Sequence, residues 1–185
     1  MIAATVKAAI LAVLQGMPSA YVERPGVAPA EYAETPEDRV ARLTVVAEAI
    51  AEQGPDVAAA LLAIGRGESG WARYVLHGCA DRPPRAVGDC DRMRRGPRRG
   101  EIRARSYWQL WRRTCKPLWR LPVGSRAAVF AAAKCAAARW RMSRRQCRTT
   151  AQAFGYYGGR GCSATPAAER KARWYRAATR RLGGP

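Results

Sequence analysis

The feature that most constrains this chain is its punctuation: helix-start signals recur ahead of apolar residues spaced for a helix and not for a strand. Thr35-Pro36-Glu37-Asp38 supplies a hydroxyl cap, a proline at the first helical position and early acids. Val40, Leu43, Ala47 and Ile50 then repeat on one face, which predicts a helix over about 36–53. Gly54-Pro55-Asp56 restarts the chain, and Val57, Leu61, Leu62 and Ile64 describe a second, largely buried helix that ends at Glu68. Ser125 is placed to cap a long alanine-rich helix through Trp140, and Ser143 with Gln146 has capping-box spacing for another through about Phe154. The run Gly155-Tyr156-Tyr157-Gly158-Gly159-Arg160-Gly161 is too rich in glycine to continue it. Thr165-Pro166 opens a last helix carrying Trp174, Tyr175, Ala178 and Leu182, which Gly183-Gly184-Pro185 stops. Residues 77–105, rich in proline, glycine and arginine, read as an irregular loop or small hairpin. The expectation is a mainly α domain over 36–185, preceded by an N-terminal helix and linker arm over 1–35.

At 185 residues the chain suits one domain with a real core. No segment approaches the roughly 20 apolar residues of a membrane span. Met1 to Ala20 faintly matches a secretory signal, but Lys7 interrupts its apolar run and Pro18 is ill placed for cleavage, so a short amphipathic helix is the preferred reading. The net charge of +19 is unevenly spread: residues 1–70 hold five Lys+Arg against nine Asp+Glu, and residues 71–185 hold twenty-eight against five. Such a field attracts polyanions, which include anionic cell walls and nucleic acid. Six cysteines without a paired-ligand spacing favour disulfides over zinc. Pairing Cys79 with Cys90 and Cys147 with Cys162 would close two glycine- or proline-rich loops, leaving Cys115 with Cys135. Bridges of this kind belong outside a reducing cytosol, in an extracytoplasmic setting. His77 stands alone, so no metal and no cofactor is expected.

Glu68 carries the chemistry in this reading. It sits where an apolar helix meets Ser69, Gly70 and Trp71, and a carboxyl group in such poorly hydrated surroundings favours the protonated form that a general acid needs. The negative end of the helix dipole acts in the same direction and Arg66 acts against it. Two further segments follow in order: Ser106-Tyr107-Trp108-Gln109-Leu110 and Ala153-Phe154-Gly155-Tyr156-Tyr157-Gly158-Gly159.

In order and spacing, these three segments resemble the lysozyme-like superfamily, especially the soluble lytic transglycosylase domain and the lysozyme domains of bacteriophages, over about residues 38–182. Glu68, Ser69 and Trp71 fit the first motif, Gln109 and Leu110 the second, and Tyr156 with Gly159 the third. Ser106 stands where the family prefers glycine and Tyr157 where it prefers asparagine. The resemblance implies cleavage of the bond between N-acetylmuramic acid and N-acetylglucosamine in peptidoglycan, with Glu68 as acid and then base. Proton delivery to the leaving oxygen is the minimum requirement of such a step, and in the transglycosylase branch the substrate's own acetamido and hydroxyl groups replace a second carboxylate. Asp81, Asp89 and Asp91 could serve a two-carboxylate mechanism, although salt bridges to neighbouring arginines are the preferred reading. Ser69, Trp71, Tyr107, Gln109 and Tyr156 are the candidate substrate-binding residues: Gln109 by hydrogen bonding, Tyr156 by holding substrate or Glu68, and the aromatics, with Trp108, by stacking on sugar or by packing in the core. Glycan strands are the expected partner, with phage tail or virion proteins as a further one. Two other readings fit the same residues: a lysozyme-like virion protein that has lost activity, and a basic nucleic-acid-binding protein, for which no helix-turn-helix or zinc-finger pattern speaks.

Overall fold

A computed structural model describes residues 2–17, 34–72, 76 and 106–183. They form six helices: α1 (Ile2–Gln15), α2 (Pro36–Ala51), α3 (Pro55–Ser69), α4 (Arg126–Gln146), α5 (Thr150–Tyr157) and α6 (Pro166–Arg181). Two 3-10 turns, Arg112–Thr114 and Lys116–Arg120, lie between α3 and α4. The fold is all-α, with no strand among the described residues. The loop or hairpin expected over 77–105, and with it the Cys79–Cys90 pairing, lies outside them.

The architecture is built around α3. Every residue from Val57 to Gly65 is buried, so this helix is apolar all round and is packed by α1, α2, α4 and α6. The surrounding helices each bury one face: Leu43, Val46, Ala47 and Ile50 from α2, and Ala132, Ala133, Ala136 and Ala137 from α4. The small alanine faces of α4 allow its backbone to approach the core closely. Ile10, Val13 and Leu14 of α1 join the same core, so the N-terminal helix packs with the helices that follow. No helix among the described residues is long and apolar enough to cross a membrane.

The caps explain most helix starts. Thr35, Ser125 and Thr165 each accept a hydrogen bond from the third backbone amide of their helix, as the sequence predicts. Three expectations differ. Ser143 does not cap a helix; it lies inside α4 and its hydroxyl donates back to the Arg139 carbonyl. The capping box belongs instead to Thr149 and Gln152, whose spacing is identical and which follow a real break at Cys147. α5 also runs through Gly155 to Tyr157. Gly155 is required there because a Cβ would stand 1.9 Å from the Ser163 carbonyl oxygen. Val40, expected on the buried face of α2, is 42% exposed, and the buried face of this helix starts at Leu43.

Cys115–Cys135 and Cys147–Cys162 are bonded as anticipated. The second ties the end of α4 to the loop before α6, holding the third motif segment between two fixed points. At the opposite end, Glu48 of α2 is gripped by Lys7 of α1 at 2.5 Å and by Arg126 of α4. The Lys7 hydrogen bond, then that of Arg126, holds the Glu48 carboxyl below the ordinary glutamate value. Its contribution to stability is therefore present above pH 4.5 and is lost as the pH falls through the lowered folded value. Glu48→Gln should melt below the wild type at neutral pH, and the two curves should converge in strong acid. Parallel curves from pH 7 to pH 2 would show that the clamp contributes nothing.

Candidate active site

The last turn of α3 has the sequence Gly65-Arg66-Gly67-Glu68-Ser69, and its shape follows from the two glycines and the serine. Gly70 ends the helix in the left-handed conformation, with its amide bonded to the Arg66 carbonyl. Trp71 continues left-handed at φ 61°. Glycine adopts that conformation freely, whereas a tryptophan is held there against a cost of about 1–2 kcal/mol. The Ser69 hydroxyl helps to hold it, donating to the Gly65 carbonyl at 2.8 Å and accepting from the Trp71 amide at 3.2 Å. The reversal brings the indole back over α3, where a Cβ on Gly65 would lie 2.1 Å from the Trp71 ring.

This turn meets the second motif segment. The Trp71 ring lies 5.5 Å from Tyr107 and 6.0 Å, edge-on, from Trp108. The Trp108 indole donates to the Leu61 carbonyl of α3 at 3.0 Å. Gln109, like Trp71, is left-handed, at φ 49°; among the described residues these are the non-glycine positions with positive φ, and both fall in motif segments. The third segment reaches the second through Tyr157, whose hydroxyl donates to the Trp108 carbonyl at 3.0 Å. Tyr157, the departure from the family pattern, is thus the residue that joins the two segments. The three stretches singled out in the sequence converge.

Their side chains are not equally accessible. Ser69, Trp71, Tyr107, Trp108 and Gln109 are buried, so in this structure the aromatics pack on one another. Tyr156 is half-buried and, with Trp111, Arg113, Arg139, Met142 and Gly159, lines an open hollow of about 280 Å³. Glu68 is shielded from water, its side chain only 10% exposed. The Lys171 ammonium of α6 donates to its Oε1.

Two residues that hold this arrangement together escaped sequence reading. Arg42 of α2 donates to the Trp71 carbonyl at 3.0 Å and to the Tyr107 hydroxyl at 2.9 Å, while its other nitrogens grip Glu34 at 2.5 and 2.8 Å. Burial disfavours its charge, but the hydrogen bonds it donates to Glu34 and the nearby Tyr107 outweigh this and strengthen its hold on the proton. Lys171 is the other. Its signal was available: it is one of four lysines in a chain with 29 arginines.

Ser106 presents a contrast. Its hydroxyl is buried without a hydrogen-bond partner among the described residues. An unsatisfied buried hydroxyl costs roughly 1–3 kcal/mol. Ser106→Ala should therefore stabilise the protein, by about 1 kcal/mol in a denaturant titration; a loss of stability would show that the hydroxyl has a partner after all.

Among the described residues, no group of histidine, cysteine, aspartate and glutamate could hold a metal ion. In comparisons with family models, curated proteins and solved structures, the chain shows no significant match, so its function must be argued from its own residues.

Proposed function

We propose that the protein is a lysozyme-like peptidoglycan-cleaving glycosidase, a lytic transglycosylase or muramidase, with Glu68 as general acid and then base. The observation that carries this reading is the convergence of three separated segments, Glu68–Trp71, Ser106–Leu110 and Phe154–Gly159, around the end of one buried helix. Left-handed Trp71 and Gln109 add weight, because backbone strain of this kind concentrates where function over-determines geometry. In this mechanism Glu68 protonates the glycosidic oxygen as the bond to the anomeric carbon breaks. It then removes a proton either from the sugar's own hydroxyl, giving an anhydro product, or from water, giving a reducing end. Ser69 and Trp71 fix the turn that carries Glu68, Tyr107 packs against Trp71 next to Gln109 in the second segment, and half-buried Tyr156 lines the hollow beside the third. The arginine-rich half would hold the enzyme on an anionic wall, and the two disulfides suit a setting outside the cytosol or on a virion.

One observation favours a lysozyme-like protein without activity: the Glu68 carboxyl is engaged by the Lys171 ammonium of α6, a contact made within the fold. The nucleic-acid reading has only the basic charge behind it. Digestion of purified peptidoglycan, with the fragments identified by mass spectrometry, tests the proposal. Anhydro-muramyl ends are expected for a transglycosylase and reducing ends for a muramidase; intact peptidoglycan would contradict both.

A further inference from the structure

We infer that the outward face of α6 is a docking surface for a polyol-phosphate polymer of the cell wall: a row of arginines takes its phosphates, and a hollow beside the first turn of α3 takes the phosphate and hydroxyls of one unit. The choice of a wall polymer rests on the glycosidase reading, whereas the surface itself lies outside all three motif segments.

α6 divides its charges between two faces. Lys171 turns inward to Glu68, while Arg170, Arg173, Arg176, Arg180 and Arg181 are exposed. At about 100° per residue these five share one side of the helix, opposite buried Ala168, Ala172 and Ala178. Arginines elsewhere hold the fold together: Arg42, Arg139 and Arg141 donate to backbone carbonyls of other segments, and Arg126 grips Glu48. The five on α6 make no ion pair or side-chain hydrogen bond with another described residue, and the acid of this helix is Glu169 alone. Their charge faces solvent, where it attracts a polyanion.

The row leads to a hollow. α6 packs antiparallel on α3, so the arginines run from the level of Glu68 to that of Asp56. There the two helices frame a space of about 570 Å³ whose polar lining is Asp56, Tyr175, Arg176, Thr179 and Arg180. Sites for small ligands span roughly 300–1,000 Å³. Arg176 and Arg180 stand one turn apart, with Cβ atoms about 5–6 Å from each other, a spacing at which two guanidinium forks can share one phosphate. The Thr179 hydroxyl donates to the Tyr175 carbonyl at 2.9 Å, so towards a ligand it can only accept, as can the Asp56 carboxylate. Cationic donors and bare acceptors together complement a group that carries phosphate and hydroxyls side by side, as each unit of a polyol phosphate does. A DNA strand brings phosphates without such hydroxyls, and the Tyr175 ring is already packed on Trp140 at 6.0 Å and Phe154 at 6.2 Å. Asp56 and Glu68 lie about 18 Å apart along α3, so a polymer held here leaves the proposed site open to a glycan.

The test measures, by fluorescence anisotropy over a salt series, binding of a poly(glycerol phosphate) oligomer and of an oligothymidylate with the same number of phosphates. The proteins are the wild type, Arg176→Gln with Arg180→Gln, Arg145→Gln with Arg148→Gln, and Asp56→Ala, each confirmed folded by its melting curve. Arg145 and Arg148 are exposed at the end of α4, so their variant removes the same charge from another surface. Poly(glycerol phosphate) should bind the wild type more tightly than oligothymidylate. The α6 variant should weaken its binding about tenfold and flatten its salt dependence by about one unit of slope, and the α4 variant should weaken it less than about threefold. Asp56→Ala should weaken poly(glycerol phosphate) yet strengthen oligothymidylate, because losing an acid favours every polyanion but removes an acceptor that only the polyol uses. Equal losses in the two arginine variants would overturn the inference, since the charge would then act as a diffuse field. Oligothymidylate binding as tightly as poly(glycerol phosphate), with the same dependence on Arg176 and Arg180, would overturn it too and make α6 a nucleic-acid surface. Digestion of purified peptidoglycan by the wild type is followed alongside. Cleavage without the α6-dependent preference rejects the docking surface alone, and intact peptidoglycan with that preference kept rejects the proposed function alone.

Discussion

Trp108→Ala should cost about 3–5 kcal/mol of stability, lowering the melting temperature by on the order of 10 °C. Trp108 is fully buried, its indole nitrogen is bonded to the Leu61 carbonyl, and its ring meets both Trp71 and Tyr107 edge-on. Truncation removes the packing of a large ring and opens a cavity between α3 and the second segment. It also frees Trp71, whose left-handed backbone is maintained by the structure around it. The loss should thus reach the site as well as the core, and activity should fall in protein that is still folded. A change below about 1 kcal/mol in a denaturant titration would show that the aromatic cluster is not the keystone it is taken to be.

Glu68→Gln should reduce cleavage by about 10²- to 10⁴-fold, the usual contribution of a general acid or base. Glutamine is nearly isosteric and its carbonyl oxygen can still accept from Lys171, so the backbone turn should persist. The ammonium would nevertheless lose its counter-charge in a site that is only about a tenth exposed. Removing one partner of a buried pair is typically costly, up to about 3–5 kcal/mol where nothing replaces it. A smaller loss is expected here because the hydrogen bond survives, and assays should be run well below the variant's melting temperature. Undiminished cleavage would remove Glu68 from the mechanism.

Much of the fold was legible because local chemistry and tertiary structure agree. Thr35, Gly54-Pro55, Ser125 and Thr165-Pro166 mark true helix starts, and the apolar run through Ile64 does deliver Glu68 at a helix end. The Ser143 assignment failed for a physical reason: capping-box spacing alone does not show where a helix breaks, and Met142 to Gln146 are all adequate helix formers. The extension of α5 through Gly155 was hidden too, since the close approach of the Ser163 carbonyl that requires glycine comes from a distant part of the chain.

The site was legible in part. Its three segments were found because each carries residues unusual for a plain core: a carboxylate beside glycines, a glutamine among aromatics, and paired tyrosines before glycines. Which side chains face solvent was not legible, because aromatic spacing cannot distinguish a sugar platform from a core, and here Trp71, Tyr107 and Trp108 pack on one another. Arg42 and Lys171 were missed because their importance lies in long-range partners, 65 and 103 positions away. In a chain so rich in arginine, Arg42 attracts no notice until its surroundings are known, whereas the rarity of lysine was the one mark that set Lys171 apart.

The most direct test of the account is to map where a glycan binds. In an amide-resolved NMR titration of the Glu68→Gln protein with a peptidoglycan tetrasaccharide, shifts should concentrate in Gly65–Ala72, Ser106–Trp111 and Tyr156–Gly161. Shifts confined to the exposed arginines of α4 and α6, with those three segments unmoved, would contradict it.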